Sequence, residues 1–284
     1  MRCSVERVCS SVTNLVQTKT VMGRNRIRLT NWCDYPRYYD IAVQAYTQQE
    51  AEFIEAVYTK YCPYQVRRLL EPACGTGRLI VELAARGYDM IGFDHSERGL
   101  NYLRRRLKRR RLWAETFEAE MADFGLGEPV DACYCTVSTF RHLLSEQEAR
   151  QHLNCVTRAL RPGGIYILGL HLLPSYIDKA RVVRWRERRG RTKVNATLRV
   201  LNIDRRRRVE RFRIDFLVST AVKQLRLRYQ FQYRTYTAKQ FRQLLRSVQS
   251  LQLCGTHDFR YNLEESVALN DELGYGVFIL RRRP

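Results

Sequence analysis

The sequence predicts an α/β chain: a doubly wound, mostly parallel seven-stranded sheet carrying an antiparallel β-meander insertion. Three observations predict it. Short apolar runs alternate with amphipathic helical stretches over 48–170, the rhythm of a parallel sheet with helices on both faces. Past Leu172 that rhythm gives way to period-2 alternation of apolar and polar residues, the pattern of an antiparallel sheet with one covered face. The 284 residues are 45% hydrophobic and 11% aromatic, enough apolar surface for a large core, which excludes a disordered chain. With 15 Gly and 7 Pro, collagen-like and low-complexity classes are excluded too.

The elements follow in order. Gln48–Tyr61 reads as an amphipathic helix with Ala51, Ile54, Val57 and Tyr58 on one side. Val66–Glu71 is a strand-like run before Pro72. The helix over Gly77–Arg86 places Leu79, Ile80, Leu83 and Ala84 at helical spacing and stops at Gly87. Tyr88–Asp94 is the next strand, Ser96 caps a helix to about Arg111, and Trp113–Met121 and Val130–Cys135 are further strands. Ser145 with Glu148 three residues on forms a capping box for a helix to Leu160. Pro162-Gly163-Gly164 reads as its stop, and Ile165–Leu170 is the fifth strand. The meander has three strands, around Val194–Val200, Phe212–Val218 and Leu225–Tyr233. Thr237 caps a helix to about Val248, and Leu251–Phe259 and Gly276–Leu280 are the last two strands.

Lys and Arg total 50 against 29 Asp and Glu, a formal net charge of +21. The arginines cluster at 104–111, 181–191 and 205–208. Each cluster fits a solvated face, and Leu100, Leu103 and Leu107 do turn the first run outward. Together they raise the prospect of an anionic or RNA partner. The nine cysteines contain no C-x-x-C, which points to reduced thiols and no metal site. No stretch of about 18 apolar residues suggests a membrane span. Residues 1–28 lack the apolar core of a secretory signal, so a cytoplasmic location is expected.

The chemistry lies in Glu71-Pro-Ala73-Cys-Gly75-Thr-Gly77-Arg78, where a strand becomes a helix. Glycines there allow a ligand close to the backbone, and the helix N-terminus offers free N–H groups. Asp94 ends the next strand 17 residues after Gly77, where an acid can accept from two ribose hydroxyls. A dinucleotide fingerprint would need glycine at position 80, which is Ile80, and Glu71 would repel a phosphate. An acid there suits a nucleoside ligand carrying a cationic amine.

These segments, with Gly92-Phe-Asp-His-Ser, Met121-Ala-Asp123-Phe124 and Leu160-Arg-Pro-Gly-Gly-Ile-Tyr-Ile-Leu, resemble the class I S-adenosylmethionine-dependent methyltransferases over about residues 34–170. The resemblance implies a Rossmann-like fold with S-adenosylmethionine as cofactor. It implies that Glu71, Ala73 and the Gly75–Gly77 backbone hold the methionine moiety and that Arg78 pairs with its carboxylate. Asp94 would hold the ribose, and His95 or Ser96 would lie beside the adenine. Asp123 would cap the adenine amino group, Phe124 pack near the ring, and Thr136 face the methionine part. Tyr39, in a Tyr-rich run with Tyr35 and Tyr38, would belong to an N-terminal segment covering the cofactor.

Methyl transfer from a sulfonium is an in-line displacement, and a base is needed only if the acceptor must lose a proton. His142 and His171 follow the fourth and fifth strands and are candidate bases, and Arg141 is a candidate clamp for an acceptor carboxylate or phosphate. Residues 1–33 are expected to form a flexible tail and 34–284 the methyltransferase domain. Within it, 191–235 is the insertion, expected to pack over a small-molecule acceptor pocket as a lid or against a second subunit in a homodimer. RNA-directed methylation and non-enzymatic cofactor binding are the alternatives. The fourth strand runs into Cys135-Thr-Val-Ser-Thr-Phe, without the Asn/Asp-Pro-Pro-aromatic motif of enzymes that methylate base amines.

Overall fold

A computed structural model describes residues 27–174 and 182–284. The chain opens with β1 (Ile27–Leu29), a 3₁₀ turn (Trp32–Asp34), α1 (Pro36–Ala42) and α2 (Thr47–Tyr61). Then come β2 (Arg68–Pro72), α3 (Arg78–Ala85), β3 (Asp89–Asp94), α4 (Glu97–Arg110), β4 (Glu115–Glu118) and β5 (Val130–Cys135). A second 3₁₀ turn (Thr139–His142), α5 (Glu146–Ala159) and β6 (Leu160–His171) follow. Four long strands come next: β7 (Val182–Arg189), β8 (Thr192–Asp204), β9 (Val209–Ser219) and β10 (Gln224–Arg234). The chain closes with α6 (Ala238–Arg246), β11 (Leu251–His257) and β12 (Tyr275–Arg282).

The main sheet has seven strands in the order β11-β12-β6-β5-β2-β3-β4. Its β5, β2, β3 and β6 pairings are parallel, and β12 alone runs antiparallel to its neighbours β6 and β11. The strand order reverses between β2 and β5, the place where open α/β sheets bind ligands. Helices cover both faces, so β5 is buried at every position and is apolar apart from Asp131, whose carboxylate accepts from the backbone N–H groups of Arg67 and Arg68. The helix signals act as the sequence implies. The Ser96 and Ser145 side chains accept from the backbones of Gly99 and Glu148, and Thr237 with Gln240 makes a capping box as Ser145 with Glu148 does. On α4, Leu100, Leu103 and Leu107 are buried while Arg105, Lys108, Arg109 and Arg110 face outward. Each buried Leu contributes about 1.5–3 kcal/mol, which outweighs the weak mutual repulsion of screened surface arginines.

The second sheet has five strands in the order β1-β10-β9-β8-β7. The expected three-stranded meander is therefore extended at both ends. Ile27–Leu29, placed by the sequence in a flexible tail, pairs in parallel with Arg226–Arg228 of β10. Residues 1–26 lie outside the described residues. The apolar face, with Val194, Ala196, Ile214, Phe216, Val218 and Leu227, packs on Ile41 and Ala42 of α1 and on the tyrosine run. Trp185 of β7 donates its indole N–H to the Ala42 carbonyl at 2.7 Å, which locks α1 onto this sheet. No helix among the described residues is long and apolar enough to cross a membrane.

Candidate active site

The carboxyl ends of β2, β3 and β5 converge on one edge, and their connections are tightly tied. The Gly75 N–H donates to Asp94 Oδ2 at 2.8 Å and the Ser96 N–H to Asp94 Oδ1 at 2.9 Å. Asp94 thereby joins the loop after β2 to the start of α4. Its carboxylate is 2% exposed, and burial raises its pKa against the lowering effect of His95 and the two N–H donors. Gly77 has φ +66, and a Cβ there would stand 2.1 Å from Leu103 Cδ1, so glycine lets α3 start flush against α4. The Trp32 ring lies directly over Gly75, and Tyr39 sits 4.7 Å from Trp32, ring centre to ring centre.

Glu71 ends β2 with its carboxylate accepting from the Tyr134 hydroxyl at 3.0 Å. Burial pushes its pKa up to about 8, only partly opposed by the Arg78 charge and the tyrosine bond. A carboxyl in that state is largely neutral at pH 7 and gains most from an incoming cation. Arg78 was expected to meet a cofactor carboxylate. Here its guanidinium is taken by the buried Glu50 carboxylate and by Thr47 Oγ1 at 3.2 Å, because α2 lies beside α3. The second oxygen of Glu50 is buried without a hydrogen-bond partner.

The remaining predicted cofactor residues divide. Ala73 is half-buried at φ 51, in the left-handed region, at the start of the loop. Thr136 is buried at the end of β5. His95 is solvent-exposed, with Nδ1 3.6 Å from Asp94 Oδ1, and Asp123 is exposed on the turn after β4. Phe124, expected beside the adenine ring, instead packs in the core, 4.5 Å from Phe93 and against His152. The apolar sheet face under the β4–β5 connection draws the ring inward.

The other side of the cleft is built by strained backbone. Val137 and Ser138 have φ 55 and 67, costly for non-glycine residues and typical of functional loops. They are held by the Tyr275 hydroxyl, which accepts from the Val137 N–H at 3.2 Å, and by the Gly169 carbonyl, which accepts from the Ser138 N–H at 2.9 Å. The Ser138 hydroxyl meets His171 Nδ1 at 2.8 Å and accepts from the His171 N–H at 3.1 Å, while Tyr275 packs edge-on at 4.5 Å. His142 stands in the cleft between Phe231 and Tyr233 of β10. His142 keeps substantial solvent exposure there, while the surrounding protein and the charges of His95 and Arg141 lower its pKa.

Arg141 is not an acceptor clamp in this arrangement. It is buried, donates to the Arg234 carbonyl at 2.8 Å and to the Glu210 carboxylate, and stacks over Tyr233. It bolts the turn after β5 to the second sheet, because β9 and β10 place an acid and a carbonyl opposite it. Trp32, Ser138 and Tyr275 were not singled out from the sequence. Only the closeness of Trp32 to the tyrosine run hinted at it.

Comparison with known proteins agrees with this arrangement. A methyltransferase-domain family model matches residues 69–164, which span β2 through the start of β6. A structure of an S-adenosylmethionine-dependent methyltransferase from Clostridium acetobutylicum ATCC 824 superposes with a TM-score of 0.73 at 15% identity, covering 89% of this chain and 99% of that one. A protein from Geobacillus sp. (strain WCH70) named as a methyltransferase is 26% identical over 119 residues, 42% of this chain and 48% of the relative. Residues 69–164 thus match the methyltransferase-domain family, and the fold is that of class I S-adenosylmethionine-dependent methyltransferases. A second relative named as a methyltransferase, YqeM of Bacillus subtilis (strain 168), is 26% identical over 106 residues, 37% of this chain and 42% of YqeM. The chain spans about half the length of the curated relatives it matches. CalS10, an amino pentose methyltransferase from Micromonospora echinaspora solved with S-adenosylmethionine, has a TM-score of 0.66 at 20% identity, over 91% of this chain and 100% of its own. The methyltransferase model covers the glycine loop, Asp94 and His142, while all five strands of the second sheet lie outside it.

Proposed function

We propose that this protein transfers a methyl group from S-adenosylmethionine to a small-molecule acceptor held in the cleft between its two sheets. One observation carries the reading: the Gly75–Gly77 loop, Asp94 and a half-buried Glu71 with a raised pKa share one sheet edge, with Phe231 and Tyr233 of the second sheet packed against His142 of the turn after β5. The residues fit the cofactor. Glu71 is a desolvated acid suited to the methionine ammonium, and Asp94 retains lone pairs beyond its two backbone bonds for ribose hydroxyls. The Trp32–Tyr39 pair offers a cover over Gly75.

When bound, the cofactor supplies a methyl group on a sulfonium, activated for displacement. The chain's own part is to bind, orient and exclude water, and holding two reactants in line lowers the barrier by about 7–11 kcal/mol in favourable cases. His142 and His171, the latter held by Ser138, are the candidate bases for an acceptor that must lose a proton. Solved neighbours include a sugar N-methyltransferase, KedS8, and the amino pentose enzyme CalS10, so amino sugars are the first acceptors to try. The test incubates the protein with methyl-labelled S-adenosylmethionine and either pooled small amines or total RNA. Label in the small-molecule fraction supports the reading. Label in RNA alone contradicts it and favours the alternative raised by the +21 charge.

A further inference from the structure

A cavity of about 480 Å³ lies on the far side of α3 and α4 from the main sheet, walled by α1, the start of α2 and the end of β7. Five arginines line it: Arg78 from α3, Arg106, Arg109 and Arg110 from α4, and Arg189 from β7. Its size suits a drug-scale or nucleotide-scale ligand. Two basic runs that look independent in the sequence, 104–111 and 181–191, are thus brought to one concave site by the docking of β7 over α1.

Charge in the cavity is unevenly matched. Asp40 is fully buried, and its carboxylate accepts from Arg106 at 2.9 Å, from Arg189 and from the Tyr102 hydroxyl at 3.0 Å. One carboxylate therefore serves two guanidiniums. Arg106 is further fixed by the Thr76 carbonyl at 2.8 Å, and Arg189 by Gln44 Oε1. Glu82, the other acid of the lining, pairs with Arg86 outside it. Arg78 pairs with Glu50. Among the described residues, no carboxylate reaches Arg109 or Arg110. The Arg189 and Arg110 charges also press on Arg106 and help burial to lower its pKa. The arrangement is preorganised: Arg106 and Arg189 are anchored, and two unmatched guanidiniums stand beside them.

We propose that this cavity binds a small phosphate-bearing ligand, a diphosphate or a compact phosphate ester, outside the methyl-transfer cleft and meeting it at Arg78 and, through Arg106, at the Thr76 carbonyl of the glycine loop. Guanidiniums bind phosphate oxygens through paired, charge-assisted hydrogen bonds, and convergence from α3, α4 and β7 suits a discrete anion better than an extended backbone. The inference does not rest on methyltransferase activity.

The experiment is calorimetric titration of the full chain with pyrophosphate, in parallel with a single-stranded RNA oligonucleotide, at low and at moderate salt. It uses the wild type, an Arg109→Gln/Arg110→Gln variant, and an Arg105→Gln/Arg111→Gln control that removes equal charge outside the lining. All four side chains are exposed, so the variants should fold. The expected result is saturable one-site pyrophosphate binding, weakened tenfold or more by the first variant and less than twofold by the control. No saturable pyrophosphate binding, equal loss in both variants, or binding of RNA alone would each overturn the proposal.

Discussion

Gly77→Ala tests the join between cofactor loop and scaffold. Position 77 has φ +66, where an L-residue pays about 1–2 kcal/mol. The new Cβ would also meet the Leu103 side chain at 2.1–2.8 Å, with three of its atoms inside contact distance. Leu103 is fully buried, so it cannot swing away into solvent, and overpacking of this kind costs about 1–3 kcal/mol. The alanine restrains the unfolded chain and returns about 0.4–1 kcal/mol. The net expectation is a loss of about 2–4 kcal/mol in urea-denaturation stability. Gly87→Ala is the control, since φ is +95 there but nothing lies within 4 Å of the added carbon. It should cost clearly less. In a double-mutant cycle, Gly77→Ala and Leu103→Ala should couple favourably, because the shortened side chain makes room. Equal losses at positions 77 and 87, or no coupling to Leu103, would refute the claim that close helix contact dictates this glycine.

Three further outcomes are expected. With a free-state pKa of about 8, Glu71 is increasingly protonated as pH falls, so affinity for a cationic amine should drop by close to tenfold per unit between pH 7.5 and 6. Glu71→Gln should flatten that slope, and calorimetry in buffers of different ionisation enthalpy should show proton release on binding. The same shift makes stability fall as pH rises from the unfolded value of about 4.5 through 8, and Glu71→Gln should remove that fall. Arg141→Met should destabilise by about 3–5 kcal/mol in denaturant titration by stranding the buried Glu210, whereas Arg141→Met/Glu210→Leu should cost markedly less.

The central sheet was legible because its signals are local. Apolar runs, serine caps and the Gly87 stop lie within a few residues of what they control. The second sheet was legible only where alternation is clean. In β7, Val183, Trp185, Glu187 and Arg189 share a face, so one aromatic is all that marks the pattern, and the strand was read as a charge run. Three residues of β1 carry no usable period. Side-chain partners were less legible still. Arg141 meets Glu210, 69 positions away, and Arg78 meets Glu50 from a helix whose docking the sequence does not state. Phe124 went to the core because a ring beside an acid has the same spacing whether it faces ligand or interior.

The most direct test is calorimetric binding of S-adenosylmethionine to the wild type beside Asp94→Ala. Asp94 ties the glycine loop to α4 and is the ribose acceptor of the reading, so circular dichroism should accompany the titration to show that the variant is folded. The expected result is micromolar, one-site binding by the wild type that is lost in the folded variant. A folded wild type that binds no S-adenosylmethionine, or a variant that binds it equally well, would contradict the account.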